Sequence, residues 1–208
     1  MKKFAFWMIL ALLVPLQACA AEKWQEGEHY EVLDKPLSEK PQVVEFFSYW
    51  CPHCYRTEPF VAKLKGELDK GVKFDKVHVN FMPYTTKEVQ DDVTSAMLMG
   101  KALKQEDQLS GAIFNYIHRQ RATITGMKDL RNIFVINGVD GEKFDSLVKS
   151  YGLQSQLARN NKAIEDYRNV VRSVPTFIVN GKYKVQFTRD MTEQDRLDLI
   201  NFLAAKKS

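Results

Sequence analysis

Two cysteines three residues apart, Cys51 and Cys54, close the segment Phe46-Phe47-Ser48-Tyr49-Trp50-Cys51-Pro52-His53-Cys54, where an apolar run gives way to a helical pattern. A helix start presents unpaired backbone N–H groups and the positive end of the dipole, so a thiolate at Cys51 is stabilised there and its pKa falls. Cys54, one turn further on, can close a short disulfide with it. On residue types alone the pair serves oxidation, reduction or metal binding. Zinc needs four ligands, but there is no second cysteine pair and His29, His78 and His118 show no ligand spacing. Redox chemistry is therefore the expectation, with no metal.

The elements that must position this pair are legible in hydrophobic spacing. Val43, Val44, Phe46 and Phe47 read as a buried strand, interrupted by one carboxylate, Glu45. Pro52 suits the first turn of a helix, where a missing N–H costs nothing. Phe60, Val61, Leu64 and Leu68 continue helical spacing to Gly71, with Pro59 expected to bend the helix. Phe74 to Phe81 alternates as a second strand, so strand, helix and strand form a right-handed βαβ unit with parallel strands.

From Thr85 to about Val171 the pattern is helical. Thr85 and Glu88 suggest a capping box for a helix ending near Gly100, followed by a helix over Gln105 to Gln120. Leu130, Ile133 and Phe134 mark a third helix. Phe144, Leu147, Val148 and Tyr151 mark a fourth that Gly152 should stop, and a long helix spans Leu153 to Val171. So much helix inside an α/β chain predicts an inserted bundle. Val174 to Val179 then reads as a strand, Asn180-Gly181 as a hairpin turn into Tyr183 to Phe187, and Thr192 with Asp195 as the cap of a last helix.

The chain has 208 residues, and its first twenty carry a different signal. Lys2 and Lys3 precede an apolar run, Phe4 to Val14, and Ala18-Cys19-Ala20 supplies an A-x-A cleavage pattern, which together read as a secretory signal peptide over 1–20. Leu16-Gln17-Ala18-Cys19 loosely matches a lipoprotein signal anchored through Cys19, but Gln17 fits that pattern badly. Cleavage would leave two of the three cysteines, Cys51 and Cys54. A disulfide three residues long constrains the unfolded chain very little, so the pair is there for chemistry, in an oxidising compartment. The net charge of +4, which includes Lys2 and Lys3, gives no sign of a nucleic-acid or anionic-membrane surface.

In this order of elements the chain resembles the DsbA family, periplasmic thiol:disulfide oxidoreductases of the thioredoxin superfamily. The matching residues are Cys51-Pro52-His53-Cys54, Val43-Val44-Glu45-Phe46-Phe47, His78-Val79-Asn80-Phe81-Met82, Val174-Pro175 and Val179-Asn180-Gly181-Lys182-Tyr183. The resemblance implies an α/β thioredoxin fold with an inserted helical domain. Its expected boundaries are a discontinuous thioredoxin-like domain over 21–82 and 163–208 and the insertion over 83–162. It also implies a disulfide between Cys51 and Cys54 as the only redox group, with no further cofactor. Cys51 would be the attacked sulfur, Cys54 its buried resolving partner, and His53 and Pro52 the tuning residues between them. Pro175 would be cis, and Val174, Pro175 and Thr176 would form a wall on which an extended substrate pairs as an added strand. Glu45, paired with Lys76 on the next strand, would tune Cys54 and pass protons near it.

The function so implied is oxidation of newly exported polypeptides bearing free cysteines. The expected partner is a quinone-linked membrane oxidase of the DsbB type that reoxidises the pair, and the protein is expected to be a periplasmic monomer. Two other readings remain open: a reductase or isomerase acting on wrong disulfides, and a periplasmic holdase or peptide-binding module whose C-x-x-C is incidental. Isomerases of this fold carry an N-terminal dimerisation domain, for which about twenty residues leave no room.

Overall fold

The computed structural model describes residues 22–206; the expected signal peptide and Cys19 lie outside the described residues. One five-stranded sheet has the order β1-β5-β4-β2-β3, with β1 at Tyr30–Val32, β2 at Gln42–Phe47, β3 at Lys73–His78, β4 at Thr176–Val179 and β5 at Tyr183–Val185. β2 pairs parallel with β3 and antiparallel with β4, and the β4–β5 and β5–β1 pairs are antiparallel. The parallel pair is joined by α1, Pro52–Glu67, as the βαβ pattern predicts; α1 runs on through Pro59. β3 ends at His78, three residues before the alternation in sequence does, since Val79 to Phe81 lie past the last β2 partner.

Strand alternation splits the central sheet into two buried faces. Val43, Phe177 and Val179 pack with Phe60, Val61 and Leu64 of α1 and with Leu197, Leu199 and Ile200 of α7, Glu193–Ala205. Phe46, Val77 and Ile178 face the other way, toward Ile164 of α6, Tyr151–Tyr167. The hairpin turn uses left-handed backbone at Asn180 and Gly181, and the Lys182 N–H donates to the Val179 carbonyl at 3.1 Å. Asn180 does more than turn the chain. Its amide nitrogen donates to the carbonyls of Leu203 and Ala204 at 3.1 and 3.0 Å, and its Oδ1 accepts from the Gln42 N–H.

Between β3 and β4 stand α2, Lys87–Ala102, α3, Glu106–His118, α4, Met127–Ile136, α5, Gly141–Val148, and α6. They share a core in which Met97 and Met99 are buried filling. Two helix boundaries differ from the sequence expectation. The cap of α2 is Thr86, whose side chain accepts from the Val89 N–H, so Thr85 and Glu88 make no capping box. Gly152 stops nothing: α5 ends at Val148, and Ser150 caps α6, which carries Gly152 in its first turn and ends at Tyr167. Serine's cap bond to the Leu153 N–H outweighs the modest helix penalty of one glycine. Thr192 and Asp195 do form the reciprocal box at α7.

Candidate active site

Cys51 ends the loop after β2 and is the N-cap of α1, so the loop and the helix between them fix its sulfur. Its Sγ accepts from the Cys54 backbone N–H at 3.2 Å, and Pro52 occupies the first helical turn. The Ser48 hydroxyl accepts from the Trp50 N–H, and the Ser48 carbonyl from the Cys51 N–H at 3.1 Å, which winds the loop tightly. Both cysteines are free and buried, Cys51 at 7% exposure and Cys54 at 0%.

Burial and hydrogen bonding drive the two thiols apart. Cys51 is brought down to about 6 from an ordinary 9.0, by the Cys54 side chain first and then by the Cys54 and His53 backbone N–H groups and the His53 charge, against an opposing cost of burial. Cys54 moves the other way. Its removal from solvent pushes its thiol far up, and the neighbouring sulfur and Glu45 add to the rise. His53 is exposed beside the pair, at the start of α1.

The segment before β4 meets the same sulfur from the other side. The Val174–Pro175 peptide is cis, both residues are half-buried, and the Cys51 thiol donates to the Val174 carbonyl at 3.4 Å. Thr176 is buried, and its hydroxyl donates to the Ser173 carbonyl at 2.7 Å, bracing the loop. Of the expected wall residues Val174 meets the Cys51 sulfur through its carbonyl, although 123 positions separate the two.

Beneath Cys54 lies a group of charges. The β2–β3 register sets Glu45 directly beside Lys76, and Lys76 Nζ is 3.2 Å from Glu45 Oε2 and 2.6 Å from Glu58 Oε1. The contact to Glu45 is an ion pair without hydrogen-bond alignment, so neither Glu45 oxygen has a hydrogen-bond partner among the described residues. Burial pushes Glu45 up to about 7, with Lys76 pulling down and Glu58 pushing up. Burial pulls the Lys76 pKa down, but Glu45 and Glu58 together outweigh it and hold the ammonium charged. Glu58 went unread in the sequence; the available signal was its place at i+4 from Cys54, on the same face of α1.

Aromatic rings seal the remaining side. Tyr49 is fully buried, packs on Phe114 at 4.7 Å between centroids, and donates to Ser110 Oγ at 3.0 Å. His78 sits beneath Phe47 and Tyr49 with Nδ1 2.8 Å from Thr94 Oγ1; burial first, and the Lys76 charge second, hold it near 3, so it is neutral. His118 stacks on Tyr55 at 5.1 Å and reaches the Tyr49 carbonyl at 2.8 Å. These are packing and bracing roles. Neither histidine is grouped with other ligands, and no cluster able to hold a metal occurs among the described residues.

A thiol near neutrality beside a buried high-pKa thiol, walled by a cis-proline loop, is equipped for disulfide exchange, and the relatives agree. The DSBA-like thioredoxin domain family matches residues 42–201. The thiol:disulfide interchange protein DsbA of Escherichia coli K12 is 35% identical over 216 residues, covering 100% of both chains. Among solved structures, the disulfide oxidoreductase DsbA from Proteus mirabilis superposes with a TM-score of 0.78 at 29% identity, covering 88% of this chain and 98% of that one. A complex of Proteus mirabilis DsbA with a non-covalently bound peptide gives 0.76 at 29% identity, covering 88% and 99%. With its sheet order, its thiol pair and the full length of its match in accord, the chain belongs to the DsbA family of thioredoxin-fold disulfide oxidoreductases.

Proposed function

We propose that the chain works as an oxidase, passing a Cys51–Cys54 disulfide to polypeptides newly exported to the periplasm. The observation that carries this reading is the split between the two thiols. A disulfide accepts electrons readily when its reduced form is stabilised, and a Cys51 thiol at about 6 means that the reduced pair carries a stabilised thiolate at neutral pH. A substrate thiolate attacks Cys51 Sγ, the Cys51–Cys54 bond breaks, and Cys54 leaves with the electron pair. The high Cys54 pKa calls for a proton at that moment. Glu45, held near 7 and within electrostatic reach of Cys54, is the group suited to supply it, with Lys76 and Glu58 setting its charge. A second substrate thiolate then attacks the substrate sulfur of the mixed disulfide and releases Cys51 as thiolate, so the substrate loses two electrons and the enzyme gains them.

Pro52 and His53 tune the leaving Cys51 thiolate, while Val174, Pro175 and Thr176 hold an extended peptide against it, a use suited to main-chain pairing. The peptide-bound Proteus mirabilis DsbA supports such an occupant. Return to the disulfide form requires an electron acceptor, which we assign to a quinone-linked membrane oxidase of the DsbB type meeting the same face of a monomeric, signal-directed enzyme. The thioredoxin-like unit at 21–82 and 163–208 would carry the chemistry, and the 83–162 insertion would cover Cys54 from one side. Equilibration of the pair with glutathione tests the direction of electron flow. A strongly oxidising potential is expected; a reducing, thioredoxin-like potential would sink the oxidase reading in favour of a reductase.

A further inference from the structure

The exchange site opens onto a groove of about 610 Å³ whose walls are biased in charge. His53 and Pro175, which are sequence neighbours of Cys51 and of its contact Val174, line the groove together with Arg189 and Arg196, so a chain lying in it passes both the exchange site and the arginines. Its floor is aromatic: Phe60, Phe177 and Phe187 pack with centroids 5.8 to 6.0 Å apart. Four fixed cations line the groove, Arg56, Lys184, Arg189 and Arg196, against one carboxylate, Glu193. Glu193 is engaged by Lys63 at 2.9 Å, and Lys184 is held by Glu31 at 3.2 Å. Arg56, Arg189 and Arg196 have no carboxylate within 4.0 Å among the described residues. Arg196 lies over the Phe187 ring at 5.4 Å, and its Nε is buried without a hydrogen-bond acceptor among the described residues. A guanidinium with no carboxylate partner is the cation best shaped to take an incoming one.

We propose that this groove selects polypeptides carrying aspartate or glutamate within a few residues of the reacting cysteine, seating the carboxylate on Arg196 and Arg189 while the thiolate attacks Cys51. The inference deepens the oxidase reading and rests on it. The exchange is the one already written: two substrate thiols become a disulfide, and the Cys51–Cys54 disulfide becomes two thiols. Because the charges sit at a groove mouth, salt should weaken the preference.

The test uses three dithiol peptides that differ only in the residues flanking their cysteines, Asp, Asn or Lys, each mixed with the oxidised protein. A flanking charge also shifts the peptide's own thiol pKa, so the quantity read is the Asp-to-Asn ratio of second-order rate constants in the wild type divided by that ratio in Arg189→Gln and Arg196→Gln variants. We expect that quotient to be about fivefold at low salt, shrinking toward one at 0.5 M salt, with the Lys peptide slowest. Arg189→Gln lies on an exposed segment and keeps the test available if Arg196→Gln folds poorly. A quotient of one while all three peptides are oxidised would overturn the selectivity and leave the oxidase reading intact. Failure to oxidise any of them would overturn both.

Discussion

Cys51 Sγ lies 3.4 Å from the carbonyl oxygen of Val174, while the Cys54 N–H faces the same sulfur from 3.2 Å. The helix side supplies donors that favour a thiolate, and the loop side supplies an acceptor that an attacking peptide must displace or share. Alkylation of the reduced protein should therefore follow one thiol with a midpoint near pH 6, at Cys51, and mass spectrometry should find Cys54 unmodified until the protein unfolds. Two thiols titrating together near 9 would contradict the site geometry.

The same split makes stability depend on redox state and pH. For Cys51 the folded pKa, about 6, is below its unfolded value of 9.0, so its contribution grows as pH rises from 6 and is complete above 9. Cys54 is raised in the fold, so above pH 9 its ionisation in the unfolded chain works against the folded state. The melting temperature of the reduced protein relative to the oxidised one should climb between pH 6 and 9 and then fall. Parallel curves for the two redox forms would refute the assignment.

Glu45 gives a slope of opposite sign. Its folded pKa of about 7 exceeds the ordinary 4.5, so the native state holds a proton that the unfolded chain has released, and stability falls as pH rises from 4.5 to 7. The size is roughly 3 kcal/mol from the shift alone. Glu45→Gln should flatten this slope in denaturant titrations, and Lys76→Met, by removing the nearest cation, should extend it to higher pH. If Glu45 also supplies the Cys54 proton, Glu45→Gln should slow peptide oxidation about a hundredfold at pH 7, because a buried thiolate of raised pKa is a poor leaving group.

Tyr49→Phe removes one hydroxyl that joins the loop after β2 to α3 through Ser110. The deletion leaves the buried Ser110 oxygen without that donor and should cost about 1 to 2 kcal/mol in urea unfolding, with the Cys51 alkylation midpoint unchanged. A shifted midpoint would mean that the Tyr49 hydroxyl tunes the thiol as well as bracing the loop.

Asn180→Ala should be the costlier substitution, about 2 to 4 kcal/mol. It removes two donors to the end of α7 and one acceptor for Gln42, and it leaves a residue with a Cβ at φ 51°. Asn180→Gly, which relieves the backbone but not the lost bonds, should recover only part of the loss.

The sequence by itself determined the chemistry and the order of elements. A C-x-x-C at a strand-to-helix junction, alternation in the strands and Asn-Gly before Tyr183 are local patterns, and local patterns survive without knowledge of the fold. Helix ends are legible in the sequence at α7, where Thr192 and Asp195 form the expected box, but at α2 the cap is Thr86 in place of the expected Thr85, and a strong cap at Ser150 overrides Gly152. What only the tertiary structure decided are relations between distant segments. Parallel register sets Lys76 beside Glu45, α1 brings Glu58 to the same ammonium, the loop before β4 lays the Val174 carbonyl on Cys51, and the segment after β5 with the start of α7 brings Arg189 and Arg196 to the groove that His53 also lines. The reason is physical. Burial and the charges brought within a few ångströms set a pKa or a groove's preference, and both are properties of the packed chain, which no stretch of it holds alone.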